Sequence, residues 1–109
     1  MGWTIEALPE FVRALKRLHK KYPSIRGEVR QLVAALAENP VQGTALGHDC
    51  YKIRLAIKSK NQGKSGGARV ITLVTRVAER LTLLTIYDKS ERENISDERL
   101  ADLAGQAGL

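Results

Sequence analysis

The stretch Cys50-Tyr51-Lys52-Ile53-Arg54-Leu55-Ala56-Ile57-Lys58 alternates without a break. Tyr51, Ile53, Leu55 and Ile57 fall on one side, and Lys52, Arg54, Ala56 and Lys58 on the other. A period of two over nine residues predicts a strand across 50–58 with one packed face and one cationic face. A single strand buries nothing, so partners are needed. Residues 68–75 and 81–87 are rich in β-branched and aromatic side chains and supply them. The glycine-rich stretch 61–67 and the short stretch 76–80 are the connections, which implies an antiparallel meander.

Upstream, the pattern changes from a period of two to helical spacing. Pro9 suits the first turn of a helix that runs to about Lys21, with Phe11, Leu15 and Leu18 on one face. Pro23 interrupts it. Ile25, Val29, Leu32, Val33 and Leu36 then form the apolar stripe of a second helix, which Asn39-Pro40 ends. Two stripes joined by a short turn form a helical hairpin that covers the packed sheet face. Residues 3–7 have a weaker extended character, and residues 40–49, with Gly43 and Gly47, read as a loop. Near the C-terminus Ser96 is a helix N-cap, Asp97 and Glu98 suit the first turn, and Leu100 and Leu103 supply an apolar edge. The expected fold is α+β: a helical hairpin on a curved antiparallel β-sheet, with a short C-terminal helix, in a single domain over 1–109.

The chain carries 18 Lys and Arg against 12 Asp and Glu, a formal net charge of +6. Between Cys50 and Ala78 there is no acidic residue, while Lys52, Arg54, Lys58, Lys60, Lys64, Arg69 and Arg76 all fall there. A solvated sheet face ordinarily mixes signs, and like charges in a row repel. Neighbours on one strand face stand ~6.8 Å apart, close to the spacing of phosphates along a nucleic-acid strand. An anionic partner is therefore expected, with phosphate contacts dominant. Only 5% of residues are aromatic, too few for extensive base stacking. A lone cysteine excludes an intrachain disulfide, and no apolar run reaches membrane-spanning length. The N-terminus lacks the pattern of a signal peptide. A cytoplasmic protein that does not engage membranes is expected.

Several motifs carry less than they promise. Gly63-Lys64-Ser65 resembles the end of a phosphate-binding loop, yet Lys58 stands where the first glycine is required and a strand follows where a helix is required. His19 reads as a surface residue and His48 as part of a loop. Cys50 reads as a half-buried structural thiol, and Trp3 as a core anchor. No His, Cys, Asp or Glu set has metal-ligand spacing, so neither metal nor cofactor is expected.

Taken together, Asp49-Cys50-Tyr51-Lys52-Ile53-Arg54-Leu55, Gly63-Lys64-Ser65-Gly66-Gly67-Ala68-Arg69-Val70-Ile71 and Leu84-Thr85-Ile86-Tyr87-Asp88-Lys89 resemble the RelE/ParE superfamily of type II toxin–antitoxin toxins. The likeness is nearest to its RelE and HigB-like branches and sharpest from Asp49 to Asn94. It implies an endoribonuclease that cleaves mRNA, often on the ribosome, and that inhibits translation until a cognate antitoxin binds it. The implied reaction is attack of a 2′-hydroxyl on the adjacent phosphate without a metal.

By the resemblance, Lys52 and Arg54 match the paired basic positions on the first long strand, and Arg69 matches the arginine that holds the scissile phosphate. The family pattern also has an arginine just after the lysine matched by Lys89, and a tyrosine farther on. Here Ser90 and about Ser96 stand at those places, and Tyr87 and Lys89 are the substitutes expected to orient the substrate and donate a proton. The expected catalytic set is thus Lys52, Arg54, Arg69, Tyr87 and Lys89, with Lys58, Lys60, Lys64 and Arg76 as further RNA contacts. Lys52, crowded by positive charge, is the candidate base. The alternatives are a ParE-like inhibitor of DNA gyrase and a nucleic-acid-binding module without turnover.

Overall fold

In the computed structural model, residues 2–60, 63 and 66–108 are described. Five strands form one sheet: β1 (Thr4–Ala7), β2 (Thr44–Gly47), β3 (Cys50–Leu55), β4 (Ala68–Thr75) and β5 (Arg80–Asp88), in the order β1-β5-β4-β3-β2. Helices α1 (Pro9–Lys21) and α2 (Ile25–Glu38) lie between β1 and β2, and α3 (Asp97–Gln106) follows β5. The α+β hairpin-on-sheet architecture is as expected, except that the sheet is mixed and that residues 44–47, read as loop, form the edge strand β2. β2 through β5 pair antiparallel, whereas the edge strand β1 runs parallel to β5.

The sheet is packed on both sides. Phe11, Leu18, Ile25 and Leu36 from the helical hairpin meet Ile53, Leu55, Val70, Val74, Leu81 and Ile86 on one face. On the other, Leu100, Leu103 and Ala104 of α3 meet Cys50, Ile71, Leu73, Leu84 and Tyr87. This double burial explains why β4 and β5 read as nearly continuous apolar runs while β3 alternates. Trp3 is partly buried against the larger core, and Cys50 is fully rather than half buried.

The first long strand is shorter than its alternation predicts. It ends at Leu55, and Lys58–Lys60 form a 3₁₀ turn. The cause lies on α2. The buried carboxylate of Glu28 accepts the backbone N–H of Lys58 at 2.5 Å and the Ser24 hydroxyl at 3.0 Å. Ser59 N–H donates to Ser24 Oγ as well. A backbone donor captured by a side chain no longer serves a ladder, so the strand does not resume at Lys58. Lys58 therefore does not continue the row begun by Lys52 and Arg54.

Gly67 brings the chain into β4 at a very close approach. A Cβ there would lie 2.0 Å from the carbonyl oxygen of Leu55. Only glycine lets the returning backbone cross β3 so tightly. The register that follows opposes Leu55 with Ala68 and Arg54 with Arg69.

Candidate phosphate-binding row

That register sets the site. Arg54 on β3 faces Arg69 on β4, and Arg69 faces Tyr87 on β5. Directly opposed residues share a face, with Cβ atoms roughly 4.5–5.5 Å apart. Lys52 is two residues from Arg54 and lies on the same face, opposite Ile71. The same face carries Cys50, Ile71, Leu73 and Tyr87 beneath α3. One end of this face is thus roofed by α3, and the other end bears the cations.

Each side chain of the row has its own setting. Arg54 is exposed, whereas Arg69 is 5% exposed and donates from Nη1 to the Ala68 carbonyl at 3.1 Å. Lys52 donates from Nζ to Asn94 Oδ1 at 2.9 Å. The Arg92 guanidinium stands over the Tyr87 ring, 5.6 Å from its centroid. Burial pushes the Tyr87 phenol above the ordinary tyrosine range, opposed in part by the positive charge of Arg69 and Arg92. The phenol is therefore protonated at neutral pH. Its hydroxyl is buried and has no hydrogen-bond partner among the described residues.

Arg92 and Asn94 were not expected at the site. They arrive because the chain turns sharply after β5. Asp88 accepts the Ser90 N–H at 2.9 Å and the Ser90 hydroxyl at 2.8 Å, and its carbonyl accepts the N–H groups of Glu91 and Arg92. The signal was present as Asp-x-Ser at a strand end, a side-chain turn that reverses the chain.

The remaining expected cations are dispersed. Lys60, expected as an RNA contact, is turned inward, its ammonium 2.5 Å from Asp88 and its side chain 11% exposed, and forms an internal ion pair. Arg76 lies in the β4–β5 turn, at the end of β4 opposite Arg69, seven residues or ~23 Å along the strand. It is too distant to share a phosphate with the row. Lys58 is exposed but has left the strand. Lys64 lies outside the described residues. Lys89 follows Tyr87 by two and is half-buried; its N–H donates to the Gly67 carbonyl at 3.1 Å, fixing the end of β5 beside the entry to β4. His48 is exposed in the β2–β3 turn, away from the row. Burial pushes the Cys50 thiol above its ordinary range, with the nearby Asp49 charge adding to it, so this thiol is no activated nucleophile. Among the described residues no three His, Cys, Asp or Glu side chains assemble into a metal-binding group, and no helix is long and apolar enough to cross a membrane.

The family model of the RelE toxin of the RelE/RelB toxin–antitoxin system matches residues 12–108. The chain belongs to the RelE toxin family. No curated protein matches the sequence. Among solved structures, an arginine-substituted mutant of the E. coli RelE toxin in the free state is 19% identical with a TM-score of 0.62, over 97% of this chain and 98% of that one. The isolated E. coli RelE toxin is 20% identical with a TM-score of 0.58, over 98% and 99%. The intact E. coli RelBE toxin–antitoxin complex gives 17% and 0.61, over 79% and 95%. At these identities the likeness establishes the RelE fold, including its C-terminal helix.

Proposed function

We propose that this RelE-family toxin is an endoribonuclease that cleaves mRNA, with the Arg54–Arg69–Tyr87 row as its phosphate site. The observation that carries the reading is the register: two arginines and a protonated tyrosine stand side by side across adjacent strands, with a lysine one step along. Arg54 and Arg69 face a phosphodiester from neighbouring strands. When a 2′-hydroxyl attacks, negative charge gathers on the phosphoryl oxygens, and fixed cations aimed there favour the transition state over the ground state. Lys52 is the base of this reading and takes the 2′-hydroxyl proton. The bond from phosphorus to O5′ breaks, and Tyr87 gives its proton to the departing oxygen. The products are a 2′,3′-cyclic phosphate and a 5′-hydroxyl. Lys89, at the end of the same strand, adds positive charge for the adjoining nucleotide. Translation on the ribosome is the process such cleavage would block.

A cognate antitoxin is the protein partner of this reading. Beyond the row, a groove of about 570 Å³ runs between α1 and α2, floored by Phe11, Leu15 and Val29 and edged by Lys16, Arg26 and Arg30. An acidic amphipathic segment matches it in both polarity and charge, and a second segment over the cationic row, or in place of α3, would silence the site. Association led by charge weakens with salt, so the affinity should fall as ionic strength rises.

The test is cleavage of defined mRNA by the purified protein in EDTA, with and without translating ribosomes. Cyclic-phosphate ends are expected, and Arg69→Ala should slow their formation by about a hundredfold or more. Intact RNA with arrested supercoiling would show a gyrase inhibitor instead. Retention of uncut RNA would show a binding module.

A further inference from the structure

Directly behind the row lies a buried ionic cluster that the proposed reaction does not use. Asp88, the last residue of β5, is 0% exposed and alternates with Tyr87 and Lys89, so it faces away from the row toward the helical hairpin. Its carboxylate accepts the Tyr22 hydroxyl at 2.6 Å, the Lys60 ammonium at 2.5 Å, and the Ser90 N–H and hydroxyl at 2.9 and 2.8 Å. Lys60 also stands over the Tyr22 ring, 5.6 Å from its centroid. One carboxylate thus joins the end of α1, the 3₁₀ turn after β3 and the turn after β5.

The segments it joins are those that deliver the row. Asp88 is paired with Ala68, the neighbour of Arg69, and follows Tyr87 directly. The adjoining Lys89 N–H holds the Gly67 carbonyl, so the entry to β4 is tied to the same point. The turn that Ser90 closes on Asp88 is the one that carries Arg92 to the Tyr87 ring and Asn94 to Lys52. Stability alone does not account for such a cluster. Replacing a buried ion pair by apolar side chains of similar volume is often neutral or favourable.

We propose that Asp88 is a positioning residue: by gripping Tyr22, Lys60 and Ser90 at one point, it sets Arg69 and Tyr87 in register for a single phosphate. The inference rests on the ribonuclease reading of the row. Burial would push the Asp88 carboxyl up, but the hydrogen bonds from Lys60, Tyr22 and Ser90 outweigh it and hold the group far below the usual carboxylate range. The grip is therefore that of a permanent anion. A displacement of ~1 Å in a reacting group costs roughly a hundredfold in rate, so a modest loosening of this clamp is enough to matter.

The experiment removes the clamp without stranding a charge, in the triple variant Tyr22→Phe, Lys60→Met, Asp88→Leu. Its melting temperature reports folding, and Ser90→Ala, which removes one hydrogen bond to the carboxylate and strands no charge, serves as the milder second variant should the triple variant fail to fold. With RNA as substrate, kcat should fall at least ~10-fold while KM stays within about twofold, because the phosphate-binding cations are all retained. In an Arg69→Ala background the same change should cost no more than about twofold, since the clamp acts through the row. Equal losses in both backgrounds, or full activity in a folded variant, would overturn the proposal. Should the wild-type protein leave RNA intact, the ribonuclease reading fails by itself. The positioning claim is then decided by NMR of the Arg69 Nε–H group: disorder appearing only in the variant supports it, and unchanged order refutes it.

Discussion

Placing a methyl group at Gly67 tests how the fold and the row are coupled. In the Gly67→Ala variant the new Cβ would stand 2.0 Å from the Leu55 carbonyl oxygen and 3.1 Å from both the Ala56 Cα and the Ile57 nitrogen. All three obstacles are backbone atoms of β3 and the segment just after it, so no side chain can rotate to make room. Relief requires the two strands to part, two residues before Arg69. Overpacking of this kind costs typically 1–3 kcal/mol. With about 2 kcal/mol lost, a domain near this size melts some 8–16 °C lower. Gly63→Ala is the matched control, because no atom of the described residues lies within 4 Å of a Cβ there. It should change stability by no more than ~0.5 kcal/mol. Thermal and urea melts of the two variants give the comparison, and RNA cleavage measured well below the melting temperature gives the second axis. The parted strands move Arg69 relative to Arg54, so cleavage by folded Gly67→Ala should fall by ~10-fold or more. Coincident melts for the two alanine variants would refute the close-approach argument. A destabilised variant with unimpaired cleavage would break the link from the turn to the row.

Three further outcomes follow from particular groups. Tyr87→Phe removes a buried hydroxyl that has no partner among the described residues, so its urea midpoint should equal or exceed that of the wild type, while cleavage falls by about a hundredfold with the proposed proton donor gone. For Asp88 the folded-state pKa lies below the unfolded value of 3.8, so its stabilisation is complete above that value and is lost as pH falls through and below it. Melting temperature should therefore drop steeply below about pH 4, and Asp88→Asn should show a shallower acid limb than the wild type. Ser96 Oγ accepts the Arg99 N–H at 3.1 Å at the start of α3, and Ser96→Ala should cost that helix ~1 kcal/mol. Since α3 covers Cys50, thiol labelling in native buffer should run ~5-fold faster in that variant.

Much of this arrangement is legible from local pattern. The stripes of α1 and α2, the Ser96 cap and the alternation through Leu55 follow from spacing and chemistry within a few residues, and the structure agrees with each. The rest depends on partners far apart in sequence. The 3₁₀ turn that replaces the strand at Lys58 is held by Glu28, 30 residues upstream, and Lys60 is held by Asp88, 28 residues downstream. Neither is visible in the alternation itself, which runs on to Lys58. The edge strands β1 and β2 are each 4 residues long, with mostly exposed side chains, and their pairing comes from the neighbouring ladder and not from their own composition. That Lys52 and Arg54 share a face is a matter of parity on one strand. That Arg69 lies opposite Arg54 is a matter of register, and a slip of one residue would have turned Arg69 to the other face.

Register also explains why so small a domain can hold two arginines against each other. Like charges placed directly opposite on neighbouring strands are destabilising, and a chain of this length has little stability to spare. The opposing forces are the large core beneath the sheet and the small one under α3, which grip β4 from both faces and leave its backbone no freedom to separate the charges. Arg69 is buried where a lone surface cation would swing into water, and Asp88 braces the strand end from behind. A phosphodiester entering the row would meet a guanidinium group from each of two neighbouring strands. Under the proposed function, an anion with charge on adjacent oxygens is the ligand such a row would select over a neutral or singly contacting one.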